Sequence, residues 1–564
     1  MNDKLYDLKS VQLPRLTGGA LRLFAGLLEN PLTGWLLIGK LLKDGGITRL
    51  RALKVDEHPT YLPLTDAGEA GRARAGLPLP RLADFHPRKS PVPREWHIPK
   101  TVRDYAKAYR TGQTTPEEVA ARALEAIRAS DASDPPMGLF IAFDPDDVMA
   151  QARAAAERIR RGEPLSIFDG VPVAIKDEVD MIPYPTTVGT RFLGRSPARE
   201  DSTVVARMRA AGALLLGKTN MYEIGINPSG LNVHHGAVRN PYNVGHNSGG
   251  SSSGSAAAVA AGFCPVAIGA DGGGSIRVPA AFCGVVGLKP TFGRVSESGA
   301  YPLAWSIAHL GPLAATAEDA ALAYAVIAGP DPKDPPSTHQ PTPRLDGWDN
   351  PDLSGLTLGV FWPWFRHADP AVVSACESLL DAFTQLGARV QEIEIPDLDA
   401  CRIAHAITIL SEMAASMDRH YARHRTDFGP SVRVNLIIGR VATSRDYVQA
   451  QRVRTRVISN FRKVLEQVDV IVTPTTAITA PPMTPRALAG DESDLSVVTE
   501  TMRFIVPGNF TGLPAISFPA GYDKRGLPIG MHVMGRPWEE HVLLRLAHAA
   551  EGAVKRRRPG RFMM

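Results

Sequence analysis

Cysteine is nearly missing from this 564-residue sequence: four are present, Cys264, Cys283, Cys376 and Cys401. None forms a C-x-x-C pair, so a disulfide framework is excluded and a reducing, intracellular compartment is compatible with them. No run of about 18 or more apolar residues occurs, which excludes a predicted transmembrane helix. The N-terminus lacks the build of a signal peptide, because its first apolar stretch is cut by Glu29 and Pro31. Neither sign of charge is in strong excess. The balance of 63 Lys and Arg against 58 Asp and Glu leaves +5, too little at this length to call for a nucleic-acid partner. Part of that excess lies in Lys555-Arg556-Arg557-Arg558 and Arg561, read as a solvated terminus, with anionic-lipid contact as the lesser alternative. No tandem repeat of about 20–50 residues is found.

What is present suffices for a large buried core, with 44% hydrophobic residues. Residues 16–44 predict two short amphipathic helices. In the first, Ala20, Leu21, Phe24, Leu27 and Leu28 share one face at helical spacing. Asn30 then offers an N-cap and Pro31 the first helical position of a second helix, which stops at Gly45-Gly46 and is unusually apolar for a surface element. Its apolar face suits packing on the main body or a second subunit, or peripheral contact with a membrane. Residues 56–100 carry Pro59, Pro63, Pro78, Pro80, Pro87, Pro91, Pro93 and Pro99 and predict an extended connector. The division is thus 1–55 helical extension, 56–100 connector and 101–564 catalytic domain. Thr115-Pro116-Glu117-Glu118 is a capping box that opens a helix. Strands are expected at 171–175, 213–216, 266–270, 357–361, 470–473, 515–518 and 531–534, and a long helix at 444–465. This alternation predicts an α/β architecture with a central sheet covered on both faces.

The chemistry concentrates in two loops. Gly249-Gly250-Ser251-Ser252-Ser253-Gly254-Ser255 precedes an alanine-rich helix and a strand ending at Asp271; Gly272-Gly273-Gly274-Ser275-Ile276-Arg277 follows. No Lys follows in Walker spacing, so a phosphate-binding P-loop is not expected. Three glycines before a serine allow a tight turn whose N–H groups converge on one point. Such donors would surround the oxygen that becomes negative when Ser275 attacks a carbonyl. Read blandly, Ser251 and Ser252 cap a helix over 254–262, Asp271 and Arg277 hold the loop by hydrogen bonds, and Lys176 is a salt-bridged lysine at a strand end. The pair His234-His235 has no accompanying metal-ligand spacing. Gly250-Ser251-Ser252-Ser253-Gly254 also fits a G-x-S-x-G nucleophile elbow with Ser252 as nucleophile. That motif requires a preceding hydrophobic strand, which Tyr242–Ser248 does not resemble.

With Gly170-Val171-Pro172-Val173-Ala174-Ile175-Lys176-Asp177, these loops resemble the amidase signature family. Further similar segments are Gly217–Glu223, Ala281–Gly284, Gly287–Thr291, Asp469–Thr475 and Gly512–Ser517. The resemblance implies a large mixed central β-sheet covered by helices on both faces, with an N-terminal helical extension. It implies an amide hydrolase without cofactor or metal. Lys176 matches the base, Ser251 the bridging serine and Ser275 the nucleophile, with Gly272, Gly273, Gly274 and Ser275 supplying the oxyanion hole and Ser252, Asp271 and Arg277 in support. It associates Ser251 with a cis peptide bond. Within the family the chain is most similar to the plant-type fatty acid amide hydrolases, through Leu16–Leu32, Val102–Arg110 and Met502-Arg503-Phe504. That likeness implies lipid amides such as N-acylethanolamines as substrates, a homodimer, peripheral membrane contact through residues 16–44 and a cytoplasmic or membrane-associated location. An aryl-amide or carbamate hydrolase, and the amidase component of a tRNA-dependent amidotransferase, are the alternatives on this scaffold.

Overall fold

A computed structural model describes residues 6–10, 14–66, 68, 71–81, 97 and 100–564. Of the connector prolines, Pro87, Pro91, Pro93 and Pro99 lie outside the described residues; Pro59, Pro63, Pro78 and Pro80 lie in stretches without helix or strand.

Eleven strands form the central sheet: β1 Phe140–Ala142, β2 Pro172–Lys176, β3 Leu214–Thr219, β4 Val266–Ala270, β5 Val286–Lys289, β6 Leu310–Ala314, β7 Thr357–Val360, β8 Arg389–Glu392, β9 Val470–Pro474, β10 Ala515–Tyr522 and β11 Pro528–Gly535. Their order across the sheet is β8-β7-β9-β11-β10-β5-β6-β4-β2-β3-β1. Parallel trios at β8-β7-β9 and β4-β2-β3 flank an antiparallel middle, so the sheet is mixed.

Alternation along the strands shows why both faces are covered. Val173, Ile175, Val266 and Ile268 join one buried cluster, while Ala174 and Ala267 between them join another. Val470 and Val472 likewise face away from Ile471. Successive side chains in a strand point to opposite faces, so a fully buried strand needs an apolar layer on each side. The helices Thr203–Ala210, Ala317–Ile327, Pro370–Gln385 and Glu540–Ala553 supply residues to one layer. Pro116–Asp131, Ser253–Ala260, Leu398–His424 and Ser444–Leu465 supply the other. The last of these spans the expected residues and buries Ala450, Val453, Val457, Phe461 and Val464. The capping box at Thr115 and Glu118 is formed.

Four strands of the central sheet went unforeseen: β1, β5, β6 and β8. They are short, and β6 contains Gly311 and Pro312 while β8 reads Arg-Val-Gln-Glu. Their pairing with neighbouring strands, rather than their own propensity, makes them strands.

The N-terminal helices form as expected over Gly18–Glu29 and Pro31–Asp44, and Asn30 caps the second through a 2.8 Å bond from the Leu32 N–H. The buried face of the first is Leu21, Ala25 and Leu28, packed on Val434 and Ile437, while Ala20 and Leu27 face outward. Glu29 meets Arg433 in a forked ion pair that fastens this helix to Pro430–Val441. In the basic tail Lys555, Arg557 and Arg558 are exposed as expected, and Arg556 alone of this run departs from expectation. Arg556 is buried, donating to the Gly284 and Ala315 carbonyls, and Arg557 and Arg558 lie over the Tyr522 and Phe562 rings. Unfilled carbonyls on the body take in a guanidinium that its charge alone would leave in water.

Candidate active site

Parallel pairing of β2 with β4 sets Ile175 beside Ile268, so the C-terminal ends of both strands open at the same sheet edge. Lys176 ends β2; Asp271 and the triple-glycine loop follow β4. This edge is where loops beyond parallel strands converge and where sites on open α/β sheets form. The helix Ser253–Ala260 leads into β4, and its small residues let it lie deep: a Cβ on Gly254 would stand 2.2 Å from the Leu139 carbonyl oxygen. A Cβ on Gly250 would stand 2.1 Å from the Ser229 carbonyl oxygen. Both positions therefore require glycine, and the serine loop is pressed against its neighbours.

Lys176 is 1% exposed. Its Nζ donates to Ser251 Oγ at 2.9 Å and to the Ala270 carbonyl at 3.2 Å, and Glu178 Oε2 lies 2.7 Å away. The Gly250–Ser251 peptide bond is cis. Neither serine caps the following helix, which begins at Ser253 without a side-chain cap. Ser251 is engaged by Lys176, and the Ser252 hydroxyl bridges the Ala270 backbone, donating to its carbonyl at 3.1 Å and accepting from its N–H at 3.3 Å. The backbone N–H of Ser252 donates to the Ser275 carbonyl at 3.2 Å, which locks the two loops together. No hydrogen bond joins the Ser251 and Ser275 hydroxyls among the described residues; contacts of this kind tighten in substrate complexes. The strand before Gly250, Asn243–Asn247, is a half-exposed partner of Arg239–Asn240 and not the buried strand of a nucleophile elbow.

The triple-glycine loop is built around Asp271. Its carboxylate accepts from the Gly274 N–H at 2.6 Å, the Ile276 N–H at 3.1 Å and the Arg277 Nε at 3.0 Å. Burial alone would raise this carboxyl, but the Arg277 charge and hydrogen bonds, helped by Lys289 and the Gly274 amide, hold it well below the carboxylate range. Gly274 sits at φ +109°, and a Cβ there would stand 1.8 Å from Ile505 Cδ1, so this position admits glycine alone. Its N–H is turned to Asp271, which withdraws it from the expected cradle. The Gly272, Gly273 and Ser275 N–H groups have no acceptor among the described residues and remain the donors able to serve an oxyanion.

Two residues at this loop gave no sequence signal. His405, on the helix Leu398–His424, lies 2.9 Å from the Gly272 carbonyl through Nε2, and burial brings its pKa down to about 4. A neutral ring donates one hydrogen bond there and steadies the loop. Asn509 donates to the Asp271 carboxylate at 2.9 Å and accepts from Arg277. Each lies more than a hundred residues downstream on a helix whose local sequence is unremarkable, so only tertiary contact reveals them. His234 faces Glu223 at 2.9 Å, away from this array. No group of three metal-ligating side chains occurs among the described residues.

Residues 122–544 match the Amidase family. Across 99% of its length the chain is 39% identical to a fatty acid amide hydrolase of Oryza sativa subsp. indica, covering 96% of that protein. It is 36% identical to a glutamyl-tRNA(Gln) amidotransferase subunit of Cyanothece sp., over 80% of this chain and 98% of the relative. The structure of a bacterial aryl acylamidase of the amidase signature family superposes with a TM-score of 0.72 at 29% identity, covering 80% of this chain and 96% of the other.

Proposed function

This chain belongs to the amidase signature family and is an amide hydrolase, and from that premise we propose that it cleaves lipid amides such as N-acylethanolamines through a Ser275 acyl-enzyme. Lys176 acts as the base, taking through Ser251 the proton that Ser275 gives up as it attacks the amide carbonyl. The 2.9 Å Lys176–Ser251 contact between two side chains each 1% exposed is the observation that supports this array. The oxyanion is received by the Gly272, Gly273 and Ser275 N–H groups, each such donor contributing about 10²–10³ in rate. The proton returns through Ser251 to the leaving nitrogen, and water then clears the acyl-enzyme. Asp271, Arg277 and Ser252 shape the loops and touch no reacting atom.

The lipid reading draws on one observation: likeness to the Oryza fatty acid amide hydrolase runs through the N-terminal helices, whereas likeness to the amidotransferase protein covers 80% of the chain. Those helices leave Leu32 81%, Trp35 68% and Leu36 61% exposed, with Lys40 and Lys43 on the same helix. No helix among the described residues is long and apolar enough to cross a membrane. An apolar face with flanking lysines suits a helix lying in a lipid interface, where it would deliver a bilayer-dissolved substrate. A homodimer placing two such faces side by side fits the same role.

The test is a substrate panel. A long-chain acylethanolamide should be hydrolysed faster than an anilide or glutamine; anilide preference would move the assignment to an aryl acylamidase with the same array, and glutamine preference to an amidotransferase component. For the helices, replacing Leu32, Trp35 and Leu36 together by serine should lower co-sedimentation with phospholipid vesicles. It should also slow hydrolysis of the long-chain amide several-fold more than that of a small one; equal losses would leave the helices a packing role only.

A further inference from the structure

Beside Lys176 lies a cavity of about 320 Å³ that the proposed reaction does not use. Two of its walls, Glu178 and Ala270, are the groups that meet the Lys176 amine. Among apolar side chains such as Val295 and Leu310, the lining sets the carboxyl groups of Glu297 and Asp334 and the rings of Phe292, Trp305 and His309. Lys333 also reaches the lining, but its ammonium is paired with Glu200 at 3.0 Å on the outer surface.

The walls are short of a positive partner. Burial, and then the charges of Asp334, Glu178 and Glu412, push the Glu297 carboxyl well above the ordinary range, which favours its protonated form while no cation is near; a bound cation would draw that proton off. His309 is 4% exposed; its Nδ1 is spent on the Ile307 carbonyl at 2.8 Å, and its Nε2 has no partner among the described residues. Burial holds this ring neutral, so with Nδ1 donating, Nε2 offers a bare lone pair to a donor. Trp305, 47% exposed, stands where the lining meets solvent.

Carboxyl groups, a buried acceptor nitrogen and aromatic faces set in an apolar lining together suit an organic cation. We propose that this cavity binds a small organic ammonium ion, with Asp334 and, once its proton is displaced by the ion, Glu297 as counter-charges, His309 as hydrogen-bond acceptor and Trp305 at the mouth. Ethanolammonium, the amine released from an acylethanolamide, has the matching size and chemistry; that choice of ion rests on the lipid-amide reading, whereas the site itself rests on its walls. Because Glu178 borders both the cavity and Lys176, an ion bound here sits next to the proposed base.

Calorimetric titration of the full chain with ethanolammonium chloride at constant ionic strength and pH 7 tests this, with ethylene glycol as the uncharged counterpart. Saturable binding of the amine alone is expected, about tenfold weaker in Glu297→Gln. Trp305→Ala, at an exposed position where folding is not at stake, should weaken it about two- to fivefold. Equal binding by both variants and the unaltered chain, binding of ethylene glycol to the same extent, or no binding of the amine would overturn the site. Amine binding without acylethanolamide hydrolysis would keep the site and remove the lipid reading; hydrolysis without amine binding would do the reverse.

Discussion

Replacing Ser275 by alanine is expected to lower amide turnover by about 10⁴–10⁶-fold while leaving the fold intact. The residual rate would come from the amide donors and substrate binding, which survive the change. The side chain makes no hydrogen bond among the described residues and is 9% exposed, so its loss should move stability by no more than about 0.5 kcal/mol. Product release by the purified variant, with its thermal midpoint as control, checks both halves. An alanine variant retaining a tenth of the activity would displace Ser275 from the nucleophile's role, and Ser252 would then be the serine to examine.

Asp271→Ala carries the second large effect, and this one falls on stability as well as rate. The substitution strips a fully buried arginine of its carboxylate, since Arg277 is 0% exposed and Asp271 1%. Breaking such a pair from one side typically costs about 3–5 kcal/mol, because the remaining charge keeps its desolvation penalty. It also frees the Gly274 and Ile276 N–H groups that shape the oxyanion loop, so activity should fall by at least about 10²-fold even in the folded fraction. The pH dependence has a definite sign. The folded-state carboxyl is held below its unfolded value, so its stabilising contribution is complete above about pH 4 and is lost as pH falls through the acid range. Denaturant unfolding of both proteins between neutral pH and pH 3 measures this: the stability gap should narrow on acidification. A gap that is small at neutral pH, or that does not change, would show that the Arg277 charge is satisfied elsewhere.

The parts of the site that were legible in the sequence lie in short local segments. The glycine- and serine-rich composition of the two loops is visible locally, although the contacts that compel glycine at 250, 254 and 274 come from Ser229, Leu139 and Ile505, far along the chain. Lys176 was legible through the resemblance of Gly170–Asp177 to the family's segment; taken alone it read as a salt-bridged lysine at a strand end. Less legible were groups whose partners lie far along the chain. Glu178 looks like an ordinary acid after a strand, yet it lies 2.7 Å from the Lys176 amine and forms a wall of the neighbouring cavity. His405 and Asn509 reach the loop from helices formed 130 and more residues later. The basic tail shows the same limit in reverse: its charges suggested solvent, and carbonyls at 284 and 315 bring Arg556 inside.

By itself, the sequence determined the two-loop serine arrangement, the α/β alternation and the amphipathic N-terminal helices, because loop composition and hydrophobic period are written over neighbouring residues. Tertiary structure decided which backbone amides stay available to an oxyanion, which carboxylate faces Lys176, and where the cavity beside it lies. Those outcomes depend on strand register and on side chains delivered from distant segments, and no local pattern of residues carries that information.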